Sequence, residues 1–217
     1  MKAATISLVI LMVNIGAPNT ASAQIKPTTL RCEYLVNPLS VDAAKPRLSW
    51  IIESQERGVL QTAYEVIASS TQKLLEQSRG DLWESGKVTS DRSNQVPYEG
   101  PPLPSRATCF WKVRVWDNHG HASNFSKPAM WRMGLLTKGD WKTRWIGLKA
   151  DPSADLRPAP YIRKEFVLTK PLRRAFAYAT AQGLFIASIN GNRVGKEFLS
   201  PEWTDYKKRI QYFTYDV

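Results

Sequence analysis

Cysteine is almost missing from this sequence: Cys32 and Cys109 are the two among 217 residues. One possible pairing excludes a multi-bridge disulfide scaffold, and no Cys-x-x-Cys or Cys/His spacing suited to zinc exists. Both cysteines sit in strand-like runs. An oxidising compartment would allow a bridge between them, and a buried free thiol is ordinary in such a place as well. Histidine is as scarce, with His119 and His121 flanking Gly120 in "WDNHGHASNFS". They stand among turn residues with no third ligand evident, so a solvated loop is expected rather than a metal site. The fingerprints GxSxG, HExxH, the phosphate-binding P-loop and the dinucleotide glycine motif are all lacking. Beyond residues 6–15, no run is apolar enough to cross a bilayer.

What is present begins with that early run. Met1-Lys2, the apolar residues 6–15 and the small residues Ala21-Ser22-Ala23 read as a signal peptide over residues 1–23, cleaved to leave Gln24 first. The run is shorter than the ~20 apolar residues that a spanning helix needs. A secreted or periplasmic protein is therefore expected, with no membrane attachment after cleavage. The formal net charge of +11 admits nucleic acid, anionic lipid or an acidic polysaccharide as partner. Its basic residues are spread out, however, and the longest cluster is Lys207-Lys208-Arg209. That pattern reads as a solvated basic surface, and no nucleic-acid partner is expected.

Strand signals recur at short intervals with turn residues between them, which predicts an all-β chain. The runs "TLRCEYLV", "RLSWIIES", "TAYEVIASS", "SNQVPYE", "TCFWKVRVWD" and "AMWRMGLL" form a first region over residues 24–136. In the fifth run, alternation puts Cys109, Trp111, Val113 and Val115 on a core face and Phe110, Lys112, Arg114 and Trp116 on the other. A short helical turn is expected around Lys73 to Gln77, stopped by Gly80. Pro97, Pro101, Pro102 and Pro104 mark an edge or a loop, because proline cannot donate to a ladder. Trp50, Trp83, Trp111, Trp116 and Trp131 stand at strand spacing and read mostly as core.

A polar linker rich in Gly and Pro follows over residues 137–160, and a second region covers 161–217. Its strands are "YIRKEFVL", "RRAFAYATA", "LFIASIN" and "RIQYFTYDV", with Asn190-Gly191 as a hairpin turn of type I′. Four strands are too few to close a two-sheet sandwich. The second region is therefore expected to be the truncated front of a larger sandwich, with an open apolar face and unpaired strand edges.

Glycoside hydrolysis needs two carboxylates held on either side of one sugar linkage. Glu165, Glu197, Glu202, Asp205 and Asp216 are candidates by residue type alone, and no context sets them apart from ordinary surface acids. The loop "GKEFLSPEWTDYKKR" is more informative, because Glu197, Trp203, Asp205 and Tyr206 combine acceptors for sugar hydroxyls with rings that stack on a sugar face. The structural alternative makes Trp203 a plug at the end of the sandwich and Thr204 or Asp205 a turn former.

With these runs laid out, the chain resembles the N-terminal part of bacterial α-L-rhamnosidases of glycoside hydrolase family 78. "LRCEYLVNPLSVDAAKPRLSW", "GDLWESGKVTSD", "FWKVRVWDNHGHASNFS" and "GDWKTRWIG" look like the leading fibronectin type III/immunoglobulin-like domain and linker. "SINGNRVG" and "LSPEWTDYKKRIQYFTYDV" look like the start of the jelly-roll-like rhamnosidase N-terminal β-sandwich, here incomplete. The resemblance implies further β domains and an (α/α)₆ barrel that hydrolyses terminal α-L-rhamnose with inversion, so it places no catalytic residue here. It implies rhamnose-containing glycans and the remaining domains of the full-length enzyme as partners. Some relatives of the second domain bind rhamnose through calcium at an Asp-Asn pair, and Lys196 and Glu197 stand at the matching positions. A lysine supplies no oxygen to a hard cation, so no cofactor is expected. Two other readings of the residues remain: a stand-alone carbohydrate-binding module acting through residues 196–206, and an adhesion protein built of such sandwiches.

Overall fold

The computed structural model describes residues 25–148 and 159–217. The signal-peptide reading of residues 1–23 and the linker residues 149–158 lie outside the described residues. Among the described residues the regular elements are nearly all strands, as the alternating patterns require.

The first region packs two sheets face to face. Strands β1 (Ile25–Cys32), β2 (Arg47–Ser54) and β6 (Val96–Pro97) form one sheet in that order. The second runs β4 (Trp83–Glu84), β3 (Gln61–Ser69), β7 (Thr108–Asp117), β8 (Ala129–Arg132), and β5 (Val88–Thr89) also pairs with β3. Pro97 sits in an outermost strand, where its missing N–H leaves no gap in a ladder. β1 bulges between Thr28 and Arg31, with Thr29 at φ 48°.

Between the sheets lie the expected side chains. Trp111, Val113, Val115 and Cys109 of β7 are fully buried against Leu48, Val66, Val96, Tyr98 and Trp131. Tyr98 bridges Trp83 and Trp131 edge-to-face at 5.5 and 5.4 Å, a geometry that adds about 0.5–1.5 kcal/mol per pair beyond the area buried. Trp50 donates its indole N–H to buried Gln61 at 3.0 Å, and the Gln61 amide in turn donates to the Ser90 and Arg92 carbonyls. A buried amide is tolerated because both of its ends are bonded.

Two details differ from the sequence patterns. Lys112, on the outward face of β7, is buried, its ammonium donating to Ser78 Oγ at 2.8 Å and lying 4.6 Å above the Phe125 ring. Helix α1 (Gln72–Glu76) packs over that face, and burial first, Arg114 second, holds the Lys112 pKa below the usual lysine value. The helical turn expected around Lys73 to Gln77 is present as α1, capped by Thr71, but Gly80 does not stop it. Ser78 takes the left-handed conformation at φ 54°, and its N–H bonds to the Leu75 carbonyl. Gly80 instead lets Glu84 and the Trp83 carbonyl come so close that a Cβ there would collide with both.

The second region holds two small antiparallel ladders, β9 (Phe176–Ala179) with β12 (Phe213–Asp216), and β10 (Ala187–Ile189) with β11 (Asn192–Val194). Asn190 and Gly191 take φ 50° and 80° between Ile189 and Asn192, the positive pair that the type I′ turn demands. The expected strand "YIRKEFVL" does not form. Residues 159–170 lie in none of the described strands, with Tyr161, Phe166 and Val167 exposed. A ladder needs a second backbone, and no described strand pairs with this segment.

Candidate functional site

Two places on the molecule bring together side chains with chemical potential: the seam between the regions and the loop after β11.

Strands β9 and β12 present alternate residues to the first region. Tyr178 and Thr214 are directly opposed, as are Phe176 and Asp216, so these four share one face. Arg132 of β8 lies 4.0 Å above the Phe176 ring, and Arg174 lies 4.8 Å from it. Arg106 lies 5.6 Å from the Tyr178 ring. Each cation–ring contact contributes about 0.5–2 kcal/mol, more when water is excluded. Asp216 accepts from both Nε and Nη2 of Arg174, the latter at 2.6 Å, and this bond first, then the nearby charge, lowers its pKa.

Tyr212 is the polar anchor of the seam. Its hydroxyl oxygen accepts from the Leu135 N–H at 2.7 Å and from Ser40 Oγ at 3.1 Å, and its ring meets Trp141 edge-on at 5.4 Å. Gly134 makes this approach possible, since a Cβ there would collide with the Tyr212 hydroxyl and crowd Ser40. In the sequence Tyr212 is one of several aromatics in "RIQYFTYDV" and Arg132 one basic residue among many. No local pattern marks residues that meet across 77 positions of chain.

The loop contains the four candidate sugar-binding residues. Trp203 is 80 % exposed, and the Tyr206 ring lies 5.8 Å from it at 39°. Tyr206 is anchored, its hydroxyl accepting from the Gly183 N–H at 2.8 Å. Asp205 is turned onto its own loop, its carboxylate accepting from the Lys207 N–H at 3.1 Å with Lys208 Nζ at 3.8 Å. Thr204 Oγ1 closes the same turn by donating to the Arg209 carbonyl at 2.6 Å. Glu197 is held apart from these, accepting from the Lys196 N–H at 3.0 Å beside Gly195, where Tyr215 leaves no room for a Cβ. The structure thus brings Trp203 and Tyr206 together as a ring pair, gives Asp205 a turn-forming bond and leaves Glu197 at the foot of the hairpin.

The Lys196-Glu197 position does not fit a calcium ion. An ammonium stands where a carboxylate or amide oxygen is required, and among the described residues no group of three or more His, Cys, Asp or Glu side chains is placed to hold a metal. Asp117, fully buried, accepts from the backbone N–H groups of both His119 and His121 at 2.9 Å and so shapes their loop. Cys32 and Cys109 are free and buried, and burial pushes both thiol pKa values up, which keeps them protonated and unreactive. No described helix is long and apolar enough to cross a membrane.

Comparison with known proteins agrees with this architecture. Residues 27–137 match the model of the Rha78A-like, N-terminal immunoglobulin domain, and residues 170–217 match the model of the alpha-L-rhamnosidase N-terminal domain. An alpha-L-rhamnosidase of Formosa agariphila is 40 % identical over 193 residues, covering 85 % of this chain and 21 % of that protein. The structure of alpha-L-rhamnosidase from Dictyoglumus thermophilum superposes with a TM-score of 0.76 at 36 % identity, over 93 % of this chain and 24 % of that one. A Streptomyces avermitilis alpha-L-rhamnosidase complexed with L-rhamnose gives 0.56 at 31 % identity, over 88 % of this chain and 20 % of that one. The chain spans about a fifth of the length of the curated relatives it matches. It belongs to the Rha78A-like immunoglobulin-domain family, and its sequence corresponds to the N-terminal part of α-L-rhamnosidases.

Proposed function

We propose that these residues form the non-catalytic front of a secreted α-L-rhamnosidase, whose full polypeptide removes terminal α-L-rhamnose from glycosides with inversion. The observation that carries this reading is the match of both N-terminal domain models, in order, along one chain. In this role the immunoglobulin-like sandwich is a rigid base, and the Tyr212 and arginine seam fixes the next domain upon it. Remaining domains of the enzyme would cover the apolar residues that the second region leaves exposed, among them Ile186, Phe198 and Leu199. The chain by itself is expected to hydrolyse no rhamnoside. An aryl α-L-rhamnoside assay on residues 24–217 checks this, and turnover above background overthrows it.

A second reading is favoured by the exposed Trp203 beside Tyr206: a carbohydrate-binding platform for rhamnose-containing glycans. Rings 5.8 Å apart and tilted by 39° offer a shallow hydrophobic surface for a sugar's C–H face, with Asp205 within the same turn as an acceptor. Calorimetric titration with L-rhamnose, with and without calcium, tests it. The reading expects heat that is insensitive to calcium and lost in Trp203→Ala; no heat, or heat kept by that variant, removes it.

A further inference from the structure

The seam also borders an open cleft that neither reading uses. It has a volume of about 210 Å³ and is lined by Arg106, Leu135, Asp140, Trp141, Lys142, Thr143 and Tyr178. That volume lies below the range of pockets for drug-sized molecules and suits one sugar ring rather than a chain. Two features of Arg106 in the lining are unusual. Arg106 is held at φ 66°, a conformation that glycine or asparagine adopts at lower cost. Its guanidinium is fixed by one bond to the Asp140 carbonyl at 2.6 Å and by the Tyr178 ring, which leaves most of its five N–H donors uncommitted.

Charge decides the class of occupant. Asp140 carries the one carboxylate of the lining, and its Oδ2 is already taken by Ser105 Oγ at 2.7 Å and by the Thr137 N–H and hydroxyl at 2.8 and 2.9 Å. Arg106 and Lys142 oppose it with two positive charges. We propose that this cleft binds a single sugar unit bearing an oxyanion, a carboxylate or a sulfate ester, with the guanidinium fork and Lys142 on the oxyanion and the Trp141 and Tyr178 rings beside the sugar. Guanidinium geometry matches both oxyanions. The site goes beyond the rhamnosidase reading, because L-rhamnose is neutral, and it lies apart from the Trp203 platform.

The test is a ligand titration of the 24–217 chain followed by NMR shifts of the Trp141 indole, using methyl glucuronide, a monosaccharide sulfate ester, L-rhamnose and inorganic sulfate. Methyl glucuronide or the sugar sulfate should shift Trp141 saturably, and the comparison of the two tells which oxyanion is preferred. Lys142→Ala, at an exposed side chain, should weaken binding about fivefold to tenfold, and Arg106→Gln should abolish it, as expected for losing charge-assisted bonds. Trp203→Ala should leave it unchanged. Equal binding of L-rhamnose, equal binding of inorganic sulfate, no saturable shift, or affinity retained in the Lys142→Ala, Arg106→Gln double variant would each overturn the proposal, whatever the outcome of the rhamnoside assay.

Discussion

Trp111 and Trp203 are the same residue type in opposite circumstances. The first is wholly buried between two sheets, and the second is 80 % exposed on a loop. The difference runs through the whole of their regions. In the immunoglobulin-like sandwich, alternating strands from both sheets supply each other's apolar faces, so a continuous core forms from Ile25 to Met133. In the second region, two ladders of three or four residues each have few facing partners. There Tyr215 is the lone hydrophobic side chain among the described residues to reach the buried class, while Phe166, Val167, Ile186 and Phe198 lie open. Apolar area left in water contributes nothing to stability. The second region is therefore held chiefly by what it borrows from the first, at Arg106, Arg132, Leu135 and Ser40.

The comparison breaks most severely at the core. Trp111→Ala should cost about 3–5 kcal/mol and unfold the first region, and with it the seam, as a single early transition in thermal circular dichroism. Retention of the wild-type midpoint would mean that the sandwich is not the base of the molecule. A smaller effect is expected at the seam. Tyr212→Phe removes the acceptor of the Leu135 N–H and should cost about 1–3 kcal/mol. Gly134→Ala, which drives a methyl group into the same hydroxyl, should act alike. Amide exchange should then quicken in residues 176–179 and 213–216 and stay slow in β3 and β7; uniform acceleration would show that the regions do not separate.

At the hairpin, Gly191→Ala places a Cβ at φ 80° and should cost about 1 kcal/mol. The loss should be confined to β10 and β11, read from their amide shifts. The smallest effect concerns pH. Asp140 is held near a pKa of about 2, first by Ser105, then by the Thr137 N–H and hydroxyl. A carboxylate with a depressed folded pKa stabilises above its unfolded value and loses that contribution as pH falls toward the folded one. The turn at residues 137–140 should accordingly be intact at pH 5 and loosen between about pH 4 and pH 2. Ser105→Ala should move the Asp140 titration upward in carboxyl-detected NMR, and an unmoved titration would remove Ser105 as its cause.

How much of this was legible in advance follows the same division. The strands Arg47–Ser54 and Thr108–Asp117 match their sequence runs because each carries a period-two pattern over eight or more residues. The Asn190-Gly191 turn was legible for a local reason too, since two residues alone fix it. "YIRKEFVL" carries a strand's composition yet forms none, because composition cannot supply a second backbone. The burial of Lys112 was not legible, because alternation says which face a side chain takes and nothing of what later covers that face. Of the candidate sugar residues, proximity in sequence served Trp203 and Tyr206, whose rings adjoin, while Asp205 and Glu197 are engaged locally.

By itself the sequence determined the all-β class, the core face of β7, the type I′ turn and the family to which the chain belongs, since each of these is written in short-range order along the chain. Only the tertiary structure decided that Tyr212 should meet Leu135 and Ser40, that Arg132 should cover Phe176, and that Arg106, Trp141, Lys142 and Tyr178 should surround one cleft. Those contacts join residues tens of positions apart, and they exist because sheets must bury their faces against whatever surface the rest of the fold presents.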